Sequence, residues 1–115
     1  MNRFLFFLLL FFTACEATPP ADMTDPGQLL YFGYAKKDVN CSKCHGPEGK
    51  GGSQAPDMRR TFSKYSDQKI MDFILHGKGL GLDSMPAFEE KLTATDLQNL
   101  MLFIKSLQID STATQ

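Results

Sequence analysis

The chain opens on an unbroken apolar run, Phe4 to Phe12, and then breaks into shorter patches with helical spacing. The first patch predicts a helix over residues 25–37, with Leu29, Leu30, Phe32 and Tyr34 on its apolar side. Asp25 suits the N-cap and Pro26 the first helical position. Gly33 weakens the centre, so this helix bends or stops early. The second patch predicts a helix from Asp67 to about Leu75, capped by Ser66, with Ile70, Phe73 and Ile74 on one side and Gly77 at its end. The third is the clearest. Thr93 stands three residues before Asp96, an acidic variant of the capping box, and Leu97, Leu100, Ile104 and Leu107 recur at helical spacing. Met101 and Phe103 widen that stripe.

Between the patches the chain is loop. Residues 46–60 hold four glycines and two prolines, which rules out a regular element. Residues 77–84 form a second glycine-rich loop, and residues 110–115 form a polar tail with nothing to pack. No internal repeat and no strand pattern is present. The expected architecture is therefore all-α: three to four short helices joined by long loops.

The opening run has a different meaning. Arg3 and the free amine supply positive charge, Phe4 to Phe12 is nine residues of apolar core, and Thr13-Ala14-Cys15 ends it with small residues. That is the layout of an export signal. It falls far short of the roughly 20 residues a spanning helix needs. Cys15 follows Phe12-Thr13-Ala14 in a segment that resembles a bacterial lipobox, where the cysteine becomes the lipidated first residue; Phe12 departs from the usual leucine. The competing reading is ordinary cleavage nearby, for instance after Ala17. With Cys15 lipidated, the chain sits on a membrane surface without spanning it. Glu16 to Pro26 is polar and proline-rich, and as a tether it reaches roughly 34 Å when extended. The expected organisation is a signal peptide over 1–14, lipidated cysteine and tether over 15–26, one domain over 27–109, and a frayed tail over 110–115. A chain of 115 residues that loses its leader is one domain with a modest core.

The chemistry lies in Cys41-Ser42-Lys43-Cys44-His45. Cys-x-x-Cys-His is the attachment site for c-type haem. Two thiols at this spacing can bond the two vinyl groups of one porphyrin, and the histidine becomes an axial ligand to iron. Other readings of these residues are weaker. A structural zinc site needs four ligands, usually as two spaced pairs, and the chain has three cysteines and two histidines with no second Cys-x-x-Cys. A thioredoxin-like motif needs a βαβ setting, and no strand pattern precedes Cys41. A Cys41–Cys44 disulfide would leave His45 unexplained. With one thiol for lipid and two for haem, none remains for a disulfide. The haem is expected to centre the core, and the chain without it to fold poorly.

The second axial ligand has several candidates. Met85 ends the second glycine-rich loop directly before Pro86, which biases Met85 toward an extended backbone. Thioether sulfur is a good haem ligand and raises the potential relative to a second histidine. Met71 and Met101 fall within helical apolar patterns and read as core. Met23 lies in the tether, and Met58 in the first loop. His76 is the serious alternative, although a histidine at a helix C-terminus equally suits a solvent-facing role.

Together these segments resemble a bacterial class I cytochrome c over residues 25–107, nearly all of the domain. CSKCHGPEGKGG is similar to the family's haem-attachment segment and following loop. Ala55-Pro56-Asp57-Met58 resembles the loop whose proline carbonyl accepts a hydrogen bond from the ligand histidine, which assigns that role to Pro56. Met85-Pro86-Ala87-Phe88 resembles the axial-methionine segment, and LTATDLQNLMLFIKSL the C-terminal helix, with Phe103 at the usual aromatic position. The resemblance implies the cytochrome c fold around one haem c bound through Cys41 and Cys44, with His45 and Met85 on the iron. It also implies that the first and last helices cross, with Gly27 or Gly33 at the close contact. One departure stands out: Tyr31 is ten residues before Cys41, where the family's aromatic is often closer. Either residues 35–40 are an insertion, or Tyr34 takes the role.

The resemblance implies a one-electron carrier and no enzyme. Its expected partners are redox proteins: a periplasmic dehydrogenase, a membrane complex or a terminal oxidase. The location is the periplasmic side, on a membrane through Cys15. Two other classes stay open: a dedicated cytochrome subunit of an oxidoreductase complex, and a haem peroxidase or sensor whose methionine is displaced. Nothing points to nucleic acid. Residues 36–78 carry nine basic and five acidic side chains, while both flanking stretches are net acidic. Lys36, Lys37, Lys43, Lys50 and Lys78 either form a rim that steers an acidic partner or are an ordinary solvated face.

Overall fold

In a computed structural model, residues 16–79, 81 and 84–109 are described. The expected signal peptide over 1–14, the expected lipidation site Cys15 and the expected tail over 110–115 lie outside them. Among the described residues the fold is all-α, with five short helices: α1 (Pro26–Tyr31), α2 (Ser42–His45), α3 (Thr61–Lys64), α4 (Asp67–His76) and α5 (Ala94–Ser106). No described helix is long and apolar enough to cross a membrane.

The three expected helices form, with the expected caps. Asp25 accepts from the Gln28 amide at 2.7 Å, and Pro26 opens α1. Ser66 accepts from the Lys69 amide, and Gly77 ends α4. Thr93 and Asp96 close a reciprocal capping box on α5. The first helix is shorter than its apolar pattern. Gly33 has φ 77, and the amides of Tyr34 and Ala35 both return to the Leu29 carbonyl, so the chain turns instead of continuing. The four-residue helices α2 and α3 raise the number to five.

The core consists of Leu30, Tyr31, Val39, Ile70, Ile74, Phe88, Leu100, Met101 and Ile104. Its centre is the crossing of α1 over α5. A Cβ on Gly27 would lie 2.1 Å from the Asn99 carbonyl oxygen and 2.9 Å from the Phe103 Cβ. Only a residue without a side chain allows this approach. Gly27, and not Gly33, therefore marks the crossing. Tyr31, and not Tyr34, is the aromatic there: it is fully buried, with its ring 5.2 Å from Phe103 and 5.3 Å from Phe32. Each large side chain buried here contributes of order 2 kcal/mol.

The chain between α1 and α2 is tied to the start of α5. The Lys36 ammonium donates to Asp96 at 2.6 Å and to the Lys91 carbonyl at 2.9 Å. At the other end of α5, the Gln108 side chain donates to the Met58 and Ile104 carbonyls and accepts from the Phe62 amide. Both ends of the last helix are thus fastened to the loops that flank the Cys-x-x-Cys-His turn.

Candidate haem site

The site is built on the short helix α2. Cys41 is its N-cap residue and Cys44 and His45 lie within it. The His45 amide bonds the Cys41 carbonyl at 2.9 Å, so the motif closes one helical turn. Residues three apart on a turn share a side, which brings the two thiols together. Asn40 supports this turn from outside, accepting from the Ser42 hydroxyl at 2.7 Å and the Lys43 amide at 3.2 Å.

Both cysteines are half-buried free thiols. The Cys41 thiol packs against the core, and burial is the main cause pushing its pKa up to about 11. The Cys44 thiol donates to the Gln54 side-chain oxygen at 3.4 Å.

His45 carries the most informative atom. Its Nδ1 is buried without a hydrogen-bond partner among the described residues. Burial holds the ring's pKa below its ordinary value, opposed by the nearby Pro56 carbonyl, which favours the protonated ring. The Pro56 carbonyl therefore lies near the His45 ring. Pro56 is brought there by a tight return of the loop. The Gly51 amide bonds the His45 carbonyl at 2.8 Å, and the Gly52 amide bonds the Ala55 carbonyl at 2.9 Å. Gly51 has φ 81, and a Cβ there would lie 2.6 Å from the Pro56 carbonyl carbon and 2.7 Å from the Asp57 nitrogen. No side chain fits.

Met85 is fixed by different means. It exchanges two backbone hydrogen bonds with Lys78, at 2.8 and 3.1 Å, in an isolated antiparallel bridge. Beyond Pro86, the Phe88 and Glu89 amides bond the Ile74 and Leu75 carbonyls at the end of α4. Half-buried Met85 and Met58 pack against the same core as Cys41.

The rival ligands are otherwise engaged. Met101 is in the core and Met71 packs on it. His76 is exposed, with Nδ1 2.8 Å from Asp72 and Nε2 3.6 Å from Glu89. The Asp72 hydrogen bond is the main cause raising its pKa. No group of three or more His, Cys, Asp or Glu side chains able to hold a metal ion occurs among the described residues.

These residues fit a covalent haem. Two free thiols share a turn, the histidine beside them has a buried, unpartnered ring nitrogen, and a loop thioether packs on the same core. Sequence reasoning missed the hydroxyl of Tyr31, which donates to the Gly46 carbonyl at 2.7 Å and lies 3.7 Å from the Met58 sulfur. It thereby joins the helix crossing to the residue after His45. Burial pushes this phenol up to about 12.

The lysine rim is smaller than its sequence. Lys36 is bound to Asp96, Lys37 lies 3.4 Å from Glu16, and Lys50 lies 2.5 Å from Glu48. Lys43 forms no ion pair among the described residues, and Lys78 sits over aromatic rings.

Comparison with known proteins bears on the family and the fold. The family model described as cytochrome C oxidase, cbb3-type, subunit III matches residues 26–104. The crystal structure of the c-type cytochrome XoxG from Methylobacterium extorquens AM1 is similar, with TM-score 0.53 and 25% identity over 69% of this chain. The aligned region spans 50% of that protein's length. No curated protein matches the chain.

Proposed function

This chain belongs to the cytochrome c oxidase, cbb3-type, subunit III family, and from that membership we propose that it is a monohaem c-type cytochrome acting as a one-electron carrier. The family implies covalently bound haem c. In our reading Cys41 and Cys44 would hold it through thioether bonds, His45 and Met85 would ligate its iron, and Pro56 would support His45. When bound, haem supplies a reversible Fe(III)/Fe(II) couple.

The chain's own residues hold that group still. Gly51 lets the Pro56 backbone come close beside His45, where its carbonyl would fix the ring and tune its basicity. Lys78 holds the backbone of Met85. Were His45 and Met85 both to hold the iron, no position would be left for substrate, and the protein would pass electrons between redox partners instead of making or breaking bonds. We propose as partners a periplasmic dehydrogenase, a membrane complex or a terminal oxidase. A lipid on Cys15 would keep the domain at a membrane surface.

The observation that carries the reading is the buried, unpartnered Nδ1 of His45, in the same turn as two free thiols. A second reading, the dedicated haem subunit of one complex, is favoured by the family's description as an oxidase subunit. Co-purification of a stoichiometric partner would separate it from a diffusible carrier.

The test is the optical spectrum of protein from a host that matures c-type haem. A weak band near the red end of the oxidised spectrum, lost in Met85→Ala, is the expected result. A high-spin spectrum, or one shifted by carbon monoxide without denaturant, would mean an open iron and overturn the carrier reading.

A further inference from the structure

We propose that Tyr65, Phe73 and Lys78 form a clamp that keeps Met85 on the iron, with Lys78 as its positioning residue; this rests on the reading of Met85 as axial ligand. The Lys78–Met85 bridge stands alone. A pairing that small is not stable by itself in water. On the C-terminal side of Met85, Pro86 has no N–H to give, and the next anchors are the Phe88 and Glu89 amides on α4. On the other side, the only partner of the Met85 backbone is Lys78 among the described residues.

Lys78 itself is an exposed residue just past the end of α4. Its side chain does not extend into water. The ammonium lies 4.5 Å from the Phe73 ring centre, 5.0 Å from that of Tyr65 and 3.4 Å from the Tyr65 hydroxyl. The two rings meet edge to face at 5.2 Å and 89°. Phe73 belongs to α4, and Tyr65 is the residue that ends α3. Through one side chain, the bridge is therefore fastened to two helices. A cation over aromatic faces prefers that place to solvent, so the backbone of Lys78, and Met85 with it, loses freedom to swing away.

A firm hold on the ligand is read by competition. Imidazole added to the oxidised, haem-bearing protein displaces the methionine, and the loss of the red-end band reports it. Lys78→Gln is expected to tighten apparent imidazole binding about fivefold, the size of a cation–π contact at an exposed site. Tyr65→Leu should tighten it in the same direction. The double variant should do little more than Lys78→Gln, because the two side chains act as a unit. Lys64→Gln, which removes an exposed cation one residue from Tyr65, should leave the affinity at the parental value. Parental affinity in Lys78→Gln, equal shifts in Lys64→Gln and Lys78→Gln, or additive single effects would each overturn the clamp while leaving the ligand assignment intact. A parent band that is absent, or that survives Met85→Ala, would overturn the ligand assignment and the clamp with it.

Discussion

Removing one oxygen tests how the helix crossing supports the haem site. Tyr31→Phe keeps the ring, and with it the contacts to Phe32 and Phe103. What goes is the 2.7 Å hydrogen bond from a fully buried residue to the Gly46 carbonyl. A typical buried bond of this kind contributes about 1 kcal/mol net. The larger penalty of a stranded acceptor does not apply in full, since the Gly46 oxygen also faces the Gly49 amide at 3.3 Å. The expected loss is therefore ~1 kcal/mol, or a Tm lower by about 4–8 °C for a domain of this size. Denaturant unfolding of the haem-bearing protein should show a lower midpoint with an unchanged slope. Tyr31→Ala, which empties the crossing, should cost roughly 3–5 kcal/mol. There is also a signature at high pH. The folded phenol is raised from 10.0 to about 12, so its contribution is complete below pH 10 and is lost as pH climbs through 12. Tyr31→Phe should lack that share of the alkaline loss. A variant as stable as the parent at pH 7, with the same alkaline profile, would refute the role given to the hydroxyl.

Other outcomes follow from the same geometry. Gly27→Ala should destabilise by about 1–3 kcal/mol in thermal unfolding, because the new methyl meets the Asn99 backbone and α1 must back away from α5. Lys36 is the chief cause holding the Asp96 carboxyl at about 2, below its ordinary 3.8. Its stabilisation is therefore present above pH 4 and lost as pH falls toward 2, and after discounting for solvent around Lys36 it amounts to about 1 kcal/mol. Acid unfolding of Asp96→Asn against the parent should show a gap that closes across that window. Cys41→Ala with Cys44→Ala should release haem to acid–solvent extraction and leave a chain without a cooperative unfolding transition.

Much of this fold could be read before any coordinates, because its stop and start signals are local. Asp25-Pro26, Ser66 with Gly77, and Thr93 with Asp96 each act within four residues, and each caps the helix it announces. The Cys-x-x-Cys-His turn is equally local. What escaped has longer reach or shorter length. Helices α2 and α3 span four residues each, too few for any periodicity to show. Tyr31 and Tyr34 carry similar sequence signals, and only the packing of Phe103 from the far end of the chain separates them. Lys36 looks like one more surface charge until Asp96, sixty residues away in sequence, comes to meet it. The hold of Lys78 on Met85 lies in backbone pairing across a loop, which composition does not record.

The partnership of α1 with α5 also sets an order in time. A chain emerging from its amino end exposes Leu30 and Tyr31 long before Leu100 and Ile104 exist to cover them. Through that interval the segment from Cys41 to His45 is already present while the domain around it stays open. In the proposed reading, whatever attaches the cofactor could act on that open segment and would need no gap in a finished protein. The last helix, once present, packs on α1 and covers those residues.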